Sequence, residues 1–381
     1  MKRYNNIYNR IVDINAIIDM YESTIYKNTK NKNKIEKFDK LYASNIIKIK
    51  DTLSSNNYTP GKYNIFLIKE PKIRIIMSQE IEDKIINHLV AKYLLIDIFE
   101  KTLSNDNCAT RIGKGTHYAL SLFKSNYNKY KNKYSNFYIL KFDISKYFYN
   151  IDHGVVKDII RRKIKDKKSL KIIFSIIDST DADYVNREIN KIKNNEINRI
   201  NGLNISEREK YIKIKEIKDI PIYRKGKGCP IGNMSSQIIA TFYLNDLDWY
   251  IKNELNIKCY TRYMDDGVII HHDRKYLEYC KSMIREKLIE YKLELNSKTN
   301  IYSSEEKIEF LGFKFFINER NKIVMQVSNK TKKKFINKMS MINSQYNNNI
   351  ISFDEYRSVR DSYLGHLGYG CCRGLCYKYI K

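Results

Sequence analysis

The sequence has no long hydrophobic run and no apolar segment at its start. No stretch of about 18 consecutive apolar residues occurs, and the first ten residues, MKRYNNIYNR, are polar and charged. A transmembrane helix and a secretory signal peptide are therefore not expected. We expect a cytoplasmic protein without a membrane partner.

The sequence also lacks the even, regularly spaced cysteines of a small secreted domain. It has seven cysteines, an odd number, so reduced thiols are expected rather than a disulfide framework. Three of them lie close together near the end of the chain, at Cys371, Cys372 and Cys376. With His366 they could form a zinc site, but adjacent cysteines without a CxxC pair favour small buried thiols.

Acidic residues are scarce relative to basic ones. The 381 residues include 70 Lys and Arg against 43 Asp and Glu, a formal net charge of +27. An AT-rich genome would enrich Lys, Asn, Ile and Tyr whatever the function, but the acidic residues have not risen in step. The excess therefore indicates a polyanionic partner, with nucleic acid first. The 43% of hydrophobic residues exclude a wholly disordered basic chain.

Short strand patterns alternate with helical patterns, which indicates an α+β protein. Two helices are expected before residue 55, joined by a basic stretch, and a two-stranded ribbon is expected around Pro71. Further strands are expected in FYILKFDIS, KCYTRYMDDGVIIHH and IEFLGFKFFI. Helices are expected at 79–100, 153–178, 233–256 and 274–292, and from Ser328 to the Gly- and Cys-rich tail.

Acidic residues interrupt two of the predicted strands. Asp265 and Asp266 are adjacent within an apolar run, and Asp143 interrupts another. Buried like charges are costly unless a cation lies between them. The pattern predicts that these strands meet at a pair of divalent ions about 3.5 to 4 Å apart, as in polymerases and nucleases.

The motifs around these acids resemble those of reverse transcriptases. YMDD resembles the C motif and FDISKYFYNIDH the A motif, and further blocks follow in the family's order over about residues 55 to 320. These blocks are PGKYNIFLIKEPKIRII, ATRIGKGTHYAL, GKGCPIGNMSSQIIATFYLNDLDWYI, LELNSKTNIY and EFLGFKFF. The resemblance implies an RNA-directed DNA polymerase, hence a template RNA, a cDNA product and deoxynucleoside triphosphates.

The resemblance also implies a right-hand polymerase fold, with fingers, a palm whose antiparallel sheet carries the catalytic acids, and a small helical thumb. The expected boundaries are a helical extension at 1–55, fingers at 56–140, a palm at 141–327 and a thumb at 328–381. The segment 181–218 is expected to be an insertion in the palm, either helical or partly mobile.

The family's roles transfer to matching positions. Asp143, Asp265 and Asp266 are the expected catalytic residues and ligands of two Mg²⁺ ions, for which Mn²⁺ can substitute. The backbone carbonyl of Ile144 is an expected additional ligand. FLGFKF matches the primer grip, which assigns Phe310, Leu311 and Gly312 to that element.

Other matching positions are expected to contact the incoming nucleotide. Lys72 and Arg74 lie on the fingers ribbon, although either could be an ordinary exposed charge. Phe148 lies where the family places an aromatic that blocks a ribose 2′-hydroxyl, with a core Phe as the alternative. Lys298 matches the proposed proton donor to pyrophosphate. The B motif adds Ile231, Gly232 and Gln237.

The B motif narrows the subfamily. An aliphatic residue before Gly232 and a Ser-Gln pair after it resemble diversity-generating retroelement enzymes, which copy RNA with errors opposite adenine and need a small basic accessory protein. A defence-associated enzyme that makes DNA from a noncoding RNA is the rival interpretation. A catalytically inactive RNA-binding protein and a group II intron maturase are further alternatives, and no RNase H, integrase or endonuclease module is recognisable.

Overall fold

The computed structural model describes residues 3–70 and 72–379. Pro71, at the tip of the predicted ribbon, and the last two residues of the predicted thumb lie outside the described residues. The chain divides into two compact units. The first runs to Asn105 and includes Ile144–Tyr250 and Ile284–Asn296, and the second includes Asp106–Asp143, Ile251–Met283 and the residues from Ser297 onward.

Helices make up most of the regular structure. The α-helices of the described residues are α1 Asn9–Val12, α2 Ile14–Asp19, α3 Tyr26–Asn28, α4 Lys32–Asp39, α5 Tyr42–Ser54, α6 Ile81–Leu89, α7 Asp97–Phe99, α8 Thr116–Lys133, α9 Tyr147–Asn150, α10 His153–Arg161, α11 Lys167–Asp178, α12 Asp183–Asn201, α13 Glu207–Lys218, α14 Met234–Tyr243, α15 Asn245–Trp249, α16 Arg274–Glu290, α17 Asn329–Asn347, α18 Phe353–Leu367 and α19 Arg373–Tyr379. Wider π-helical turns occur at Met20–Ile25, Val90–Ile96 and Tyr250–Glu254, and tighter 3₁₀ turns occur at Glu100–Thr102 and Ser179–Asp181.

The strands form three antiparallel sheets. They are β1 Asn64–Ile68, β2 Arg74–Ser78, β3 Tyr138–Phe142, β4 Tyr260–Tyr263, β5 Asp266–His271, β6 Asn300–Ser303, β7 Ile308–Phe310, β8 Phe313–Ile317 and β9 Ile323–Val327. The first unit holds the two-stranded ribbon β1-β2. The second unit holds a four-stranded sheet in the order β4-β5-β3-β6 and a three-stranded sheet β7-β8-β9.

In the first unit, a ribbon and a helical pair share an apolar core. Ile75 and Met77 of β2 are buried with Val185 and Ile189 of α12 and with Ile217 of α13. The segment 181–218, predicted as an insertion, is therefore folded as two helices. Their apolar residues recur at helical spacing, which is why this Lys- and Asn-rich segment still buries one face.

Acidic residues begin several helices of the first unit. Asp166 accepts hydrogen bonds from the backbone of Lys168 and Ser169 at the start of α11 and from the amides of Ile7 and Tyr8, both at 2.9 Å. Burial alone would raise the pKa of Asp166, but hydrogen bonds from the amides of Tyr8, Ser169 and Ile7 and from the Ser169 side chain hold it below the usual value. One carboxylate thus caps a helix and fixes the N-terminal segment.

In the second unit, aromatic residues dominate the core. Phe123 of α8 packs against Phe310 and Phe315 with ring centroids 5.4 and 4.8 Å apart. Phe335 of α17 and Met339 are fully buried in the same cluster. The helices from α17 to α19 therefore share one core with the sheet β7-β8-β9. Ser352 and Glu355 form a capping box at the start of α18.

Several predicted elements are confirmed and several differ. The α+β class, the ribbon and the helices near 79–100, 233–256 and 274–292 are confirmed. The single helix predicted at 153–178 is wrong. Two helices, α10 and α11, occupy that stretch, and Asp166 caps the start of the second. The strand predicted in IEFLGFKFFI is a hairpin, β7-β8. Strands β6 and β9 and helices α4, α8 and α9 were not predicted. In the described part of the chain, no helix is long and apolar enough to cross a membrane.

Candidate active site

The predicted catalytic acids lie at the same end of two neighbouring strands of the second unit. Phe142 at the end of β3 pairs with Gly267 of β5. Asp143 directly follows Phe142, and Asp266 directly precedes Gly267. Directly opposite residues of antiparallel strands have Cα atoms about 4.5 to 5.5 Å apart, so this register brings Asp143 and Asp266 to neighbouring positions.

The two faces of the β3-β5 pair differ, because an aromatic ring covers one of them. A Cβ atom at Gly267 would lie 2.1 Å from Cζ of Phe142, so the Phe142 ring occupies the space that any larger side chain would need. Successive side chains on a strand point to opposite faces. The ring therefore covers one face, and the acids beside it point to the other.

Asp265 is presented by a two-residue turn. Tyr263 pairs with Asp266 across the β4-β5 hairpin, which leaves Met264 and Asp265 as its loop. Met264 has a φ of 56°, a conformation that costs a residue with a side chain about 1 to 2 kcal/mol. Nη1 of Arg262 donates a hydrogen bond to the Met264 carbonyl at 2.7 Å. The turn is therefore held by a side chain two residues away.

Arg262 is the largest fully buried side chain of the described residues. Its backbone is also fixed, because its amide donates to the Asp106 carbonyl and its carbonyl accepts from the Cys108 amide, both at 2.9 Å. Thr116 at the start of α8 donates to the Tyr263 hydroxyl at 3.3 Å. The segment from Asp106 to Thr116 thus braces the hairpin that carries the acids.

Sequence reasoning missed this bracing role. It identified ATRIGKGTHYAL as a motif, but it assigned no contact to that block and did not identify Arg262. The available signal was an arginine within a strand of otherwise buried residues, since a buried guanidinium needs several acceptors. Which acceptors it finds depends on residues far away in sequence.

Lys298 lies near the end of β3. The Asp143 amide donates to Oγ1 of Thr299 at 3.4 Å, and Thr299 is buried while the adjacent Lys298 is exposed. The loop before β6 is therefore anchored at Asp143, and it presents Lys298 at the same end of the sheet as the acids.

The donor set at this sheet end suits hard divalent ions. Asp143, Asp265 and Asp266 are all half-buried, and carboxylate oxygens are the ligands that Mg²⁺ prefers. The end of β3 and the β4-β5 turn supply three carboxylates at one end of the sheet. A pair of divalent ions needs several such oxygen ligands, so the three acids fit a metal pair.

The predicted contacts to the nucleotide's phosphates lie on the ribbon of the first unit. Lys72 and Arg74 are both exposed there. Burial raises the pKa of Tyr149 to about 12, and the nearby positive charge of Arg74 opposes that rise. Arg74 and Tyr149 line the same small pocket of the first unit, together with Ile73.

The B-motif turn is attached to β2. The Met77 amide donates to the Ile231 carbonyl at 2.8 Å. Gly232 has a φ of 126°, and a Cβ atom there would lie 3.0 Å from the Met77 carbonyl oxygen. Glycine is required by both the backbone conformation and the close approach. Ile231 is half-buried and Gln237 is exposed.

A buried amide holds the helix that follows this turn. Asn87 is fully buried; its side chain donates to Oγ of Ser235 at 2.9 Å and accepts from the Ser235 amide at 3.0 Å. Asn87 was not predicted as a site residue. A lone Asn in an apolar helical pattern was the signal, because buried amides need partners.

Phe148 is half-buried in the short helix α9. Its ring packs edge-on against Tyr147 at a centroid distance of 5.8 Å, and its carbonyl accepts from the Cys229 amide at 2.8 Å. The backbone of Phe148 is therefore fixed while part of its ring stays accessible.

The three residues assigned to the primer grip differ in environment. Phe310 is fully buried, whereas Leu311 and Gly312 form the half-buried β7-β8 turn. The Gly312 carbonyl accepts from the Ser328 amide at 2.9 Å. Of the three residues, Leu311 and Gly312 are therefore the ones accessible to a primer, whereas the Phe310 ring is not.

Five of the seven cysteines are buried, Cys376 is half-buried and Cys371 is exposed. Burial raises the pKa of Cys108 and of Cys229 to about 12, and it also raises the pKa of Cys372 and Cys376. Zinc binds the thiolate, which these environments disfavour. The C-terminal cysteines and His366 form no set of ligand atoms within 4.8 Å among the described residues.

Comparison with known proteins assigns the chain to a family. Acids at the ends of adjacent antiparallel strands, ahead of a helical C-terminal region, are the features of a nucleic acid polymerase. Residues 67–315 match the family described as reverse transcriptase (RNA-dependent DNA polymerase). This match covers more than half of the chain, so the chain belongs to the reverse transcriptase family, with its right-hand polymerase fold, and the predicted class of enzyme is confirmed.

Two individual proteins show weaker likeness. Nuclear intron maturase 1, mitochondrial, from Arabidopsis thaliana is 29% identical over 148 residues, which are 38% of this chain and 19% of that protein. The chain therefore spans about a fifth of the length of that curated relative. A structure of apo telomerase from Candida Tropicalis, truncated from the C-terminal domain, aligns with a TM-score of 0.45 and 13% identity over 70% of this chain and 55% of that one. The second likeness is too weak to add to the family match.

Proposed function

We propose that this protein copies an RNA template into DNA from deoxynucleoside triphosphates. The carrying observation is the register of β3 and β5, which brings Asp143 and Asp266 to neighbouring positions within the region that matches the family. The net charge of +27 supports a nucleic acid partner, because Lys and Arg neutralise phosphates.

In the proposed mechanism, Asp143, Asp265 and Asp266 would hold two divalent ions, generally Mg²⁺ in this family, with the Ile144 carbonyl as an additional ligand. The bound ions would stabilise the charge on the attacking and leaving oxygens of the nucleotidyl transfer. The protein's own contribution is to fix the carboxylates, through the β3-β5 register and through the bond from Arg262 to the Met264 carbonyl.

The roles proposed for the basic residues follow from charge and position. Lys72 and Arg74 would bind the triphosphate, since both are exposed on the ribbon. Lys298 would donate a proton to the departing pyrophosphate. Leu311 and Gly312 would position the primer through the exposed part of their turn.

Primer extension on RNA tests the polymerase proposal. Purified protein with Mg²⁺ should extend a DNA primer on a defined RNA template, and Asp143→Asn should reduce the rate at least 100-fold, about 2.7 kcal/mol in barrier height. Asp158→Asn, an exposed acid paired with Arg161, is the control and should retain activity. Equal activity of the Asp143 variant and the control would refute the site assignment.

Phe148 is proposed to exclude ribonucleotides. Its half-buried ring would occupy the volume that a 2′-hydroxyl needs, so Phe148→Ala should incorporate ribonucleotides more readily while it retains most deoxynucleotide turnover. Truncation of the ring also removes its buried part, which destabilises the fold, so thermal stability has to be measured beside incorporation. Unchanged sugar selectivity in a folded variant would remove this role.

The finer proposal is error-prone copying in a diversity-generating retroelement, with a small basic accessory protein. It rests on Ile231 and Gln237 in the B motif. An aliphatic residue at 231 lacks a hydrogen-bond donor beside the nucleotide, and a loss of 1.4 kcal/mol in discrimination is about tenfold in error rate. The wild type should misincorporate opposite template adenine, and Ile231→Gln should lower that error. Faithful copying of adenine would contradict this proposal alone.

The second candidate is a defence enzyme that copies a dedicated noncoding RNA. The observation that favours it is the helical pair α12-α13, which makes the stretch between Asp143 and Gly232 longer than a compact palm needs. Sequencing the RNA that copurifies with the protein, and the DNA made from it, separates the candidates. A single structured noncoding RNA would favour defence. RNA transcribed from a repeat adjacent to a variable-protein gene would favour diversification.

A further inference from the structure

A buried histidine in the first unit has a ring nitrogen without a hydrogen-bond partner. His153 is the first residue of α10 and is 4% exposed. Its Nε2 lies 2.8 Å from the Gly228 carbonyl oxygen. A carbonyl only accepts, so Nε2 carries the hydrogen, and in the neutral ring Nδ1 therefore presents a lone pair. Nδ1 is buried and makes no hydrogen bond.

This lone pair faces two carboxylates. Nδ1 lies 3.1 Å from Oδ1 of Asp178 and 3.5 Å from Oδ2 of Asp181. Three electron-rich atoms this close repel one another unless a positive charge lies between them. No hydrogen bond joins Nδ1 to either oxygen. A cation bound by all three atoms satisfies them together.

The spacing suits a single transition-metal ion. Ligands about 2.0 to 2.2 Å from an ion in tetrahedral geometry lie about 3.3 to 3.5 Å apart, close to the observed 3.1 and 3.5 Å. The three ligand atoms all lie within 4.8 Å of one another. Imidazole with carboxylates is a donor set for Zn²⁺ and related divalent ions.

We propose that His153, Asp178 and Asp181 bind one divalent transition-metal ion of the zinc type. This site uses none of the residues assigned to catalysis. The Asp178 and Asp181 side chains are 43% and 25% exposed, so the ion can enter from solvent and bind a water molecule at the remaining position.

Neighbouring groups already orient the proposed ligands. Lys157 contacts both oxygens of Asp178 at 2.6 Å, which fixes that carboxylate and offsets one negative charge. The Gly226 amide donates to Oδ1 of Asp181 at 2.8 Å and leaves Oδ2 directed at His153. Such outer partners are what hold metal ligands in place.

The ion would stabilise the loop that leads into the B motif. His153 is bonded to Gly228 and Asp181 to Gly226, and the chain reaches Ile231 three residues after Gly228. Helices α10 and α11 would thus be linked to this loop through one ion. Its role is structural, so it can be measured without the polymerase reaction.

Metal binding is tested in the full chain with the catalytic acids removed. In the background of Asp143→Asn, Asp265→Asn and Asp266→Asn, dialysed protein should retain one equivalent of Zn²⁺ by elemental analysis. Co²⁺ should give the visible absorption of a low-coordinate site. Zn²⁺ should raise the melting temperature and slow amide exchange at 226–229.

Two variants and a control decide the outcome. Adding His153→Gln or Asp181→Asn should abolish the equimolar ion and its effect on melting; the second keeps an acceptor for the Gly226 amide, so it tests the site even if the first fails to fold. Asp158→Asn on the same helix should change nothing. Folded background protein that retains no equimolar Zn²⁺, or retention that both variants leave unchanged, would overturn the proposal.

Discussion

Two hairpins of the second unit have turns of the same length but different residues at the second turn position. Each has a two-residue turn whose first residue is in the left-handed region, with φ of 56° at Met264 and 47° at Leu311. The second turn continues with Gly312 at a φ of 84°, whereas the first continues with Asp265 at a negative φ. The second turn position is therefore a glycine in the β7-β8 hairpin and an aspartate in the β4-β5 hairpin.

The difference separates a structural turn from a functional one. The Gly312 carbonyl is bonded by the Ser328 amide and the Thr331 hydroxyl, both from the start of a helix. The Met264 carbonyl is bonded by a buried guanidinium. Backbone strain is found at functional sites where the surroundings enforce it, and Arg262 provides that enforcement here.

The largest expected effect is the loss of the acid from the first turn. Asp265→Asn keeps the shape of the side chain but removes its charge, so primer extension should fall at least 100-fold, about 2.7 kcal/mol. Thermal melting should stay near that of the wild type. Glu309→Gln, which changes an exposed acid on the second hairpin, is the matched control. An equal loss of primer extension in both variants would show that the two hairpins do not differ in function.

The next effect concerns the side chain that holds the first turn. Arg262→Met keeps much of the buried volume but leaves the Met264 carbonyl without its bond, which costs about 1 to 3 kcal/mol. Denaturant unfolding should show this loss, and extension should fall because Asp265 is no longer fixed. Arg274→Met, outside the hairpin, should cost far less. Full activity of the Arg262 variant would show that the turn needs no brace.

A smaller and asymmetric effect is expected from exchanging glycine between the turns. Gly312→Ala should destabilise by about 1 to 2 kcal/mol, because φ is positive there. Met264→Gly removes the strain of a positive φ but raises the conformational entropy of the unfolded chain. The free energy of unfolding should therefore change by no more than about 1 kcal/mol. Chemical denaturation measures both. A larger loss at Met264 than at Gly312 would reverse the comparison.

The smallest effect should come from Thr331. Thr331→Val removes the 3.3 Å bond to the Gly312 carbonyl, but that carbonyl keeps the Ser328 amide, so the cost should be about 0.5 kcal/mol. Primer extension should be unchanged. A loss as large as that of Arg262→Met would mean that the second turn depends on its side-chain bond as strongly as the first.

Much of the site could be read from sequence because its signals are local. The acids at 143, 265 and 266 interrupt apolar strand patterns, and the motif order led to the family now shown. The hairpin within IEFLGFKFFI was missed because two short strands joined by two residues look like one apolar run. The break between α10 and α11 was missed because Asp166 also bonds residues near the start of the chain.

Sequence alone determined the family, the excess of positive charge and the positions of the acids, since composition and short motifs need no knowledge of distant contacts. Tertiary structure decided how those positions are held. Arg262 meets Asp106 and Cys108, Phe142 covers Gly267, and His153 faces Asp178 and Asp181. Such partners are set by chain closure and packing, because a buried polar group requires a partner but its local sequence does not specify which one.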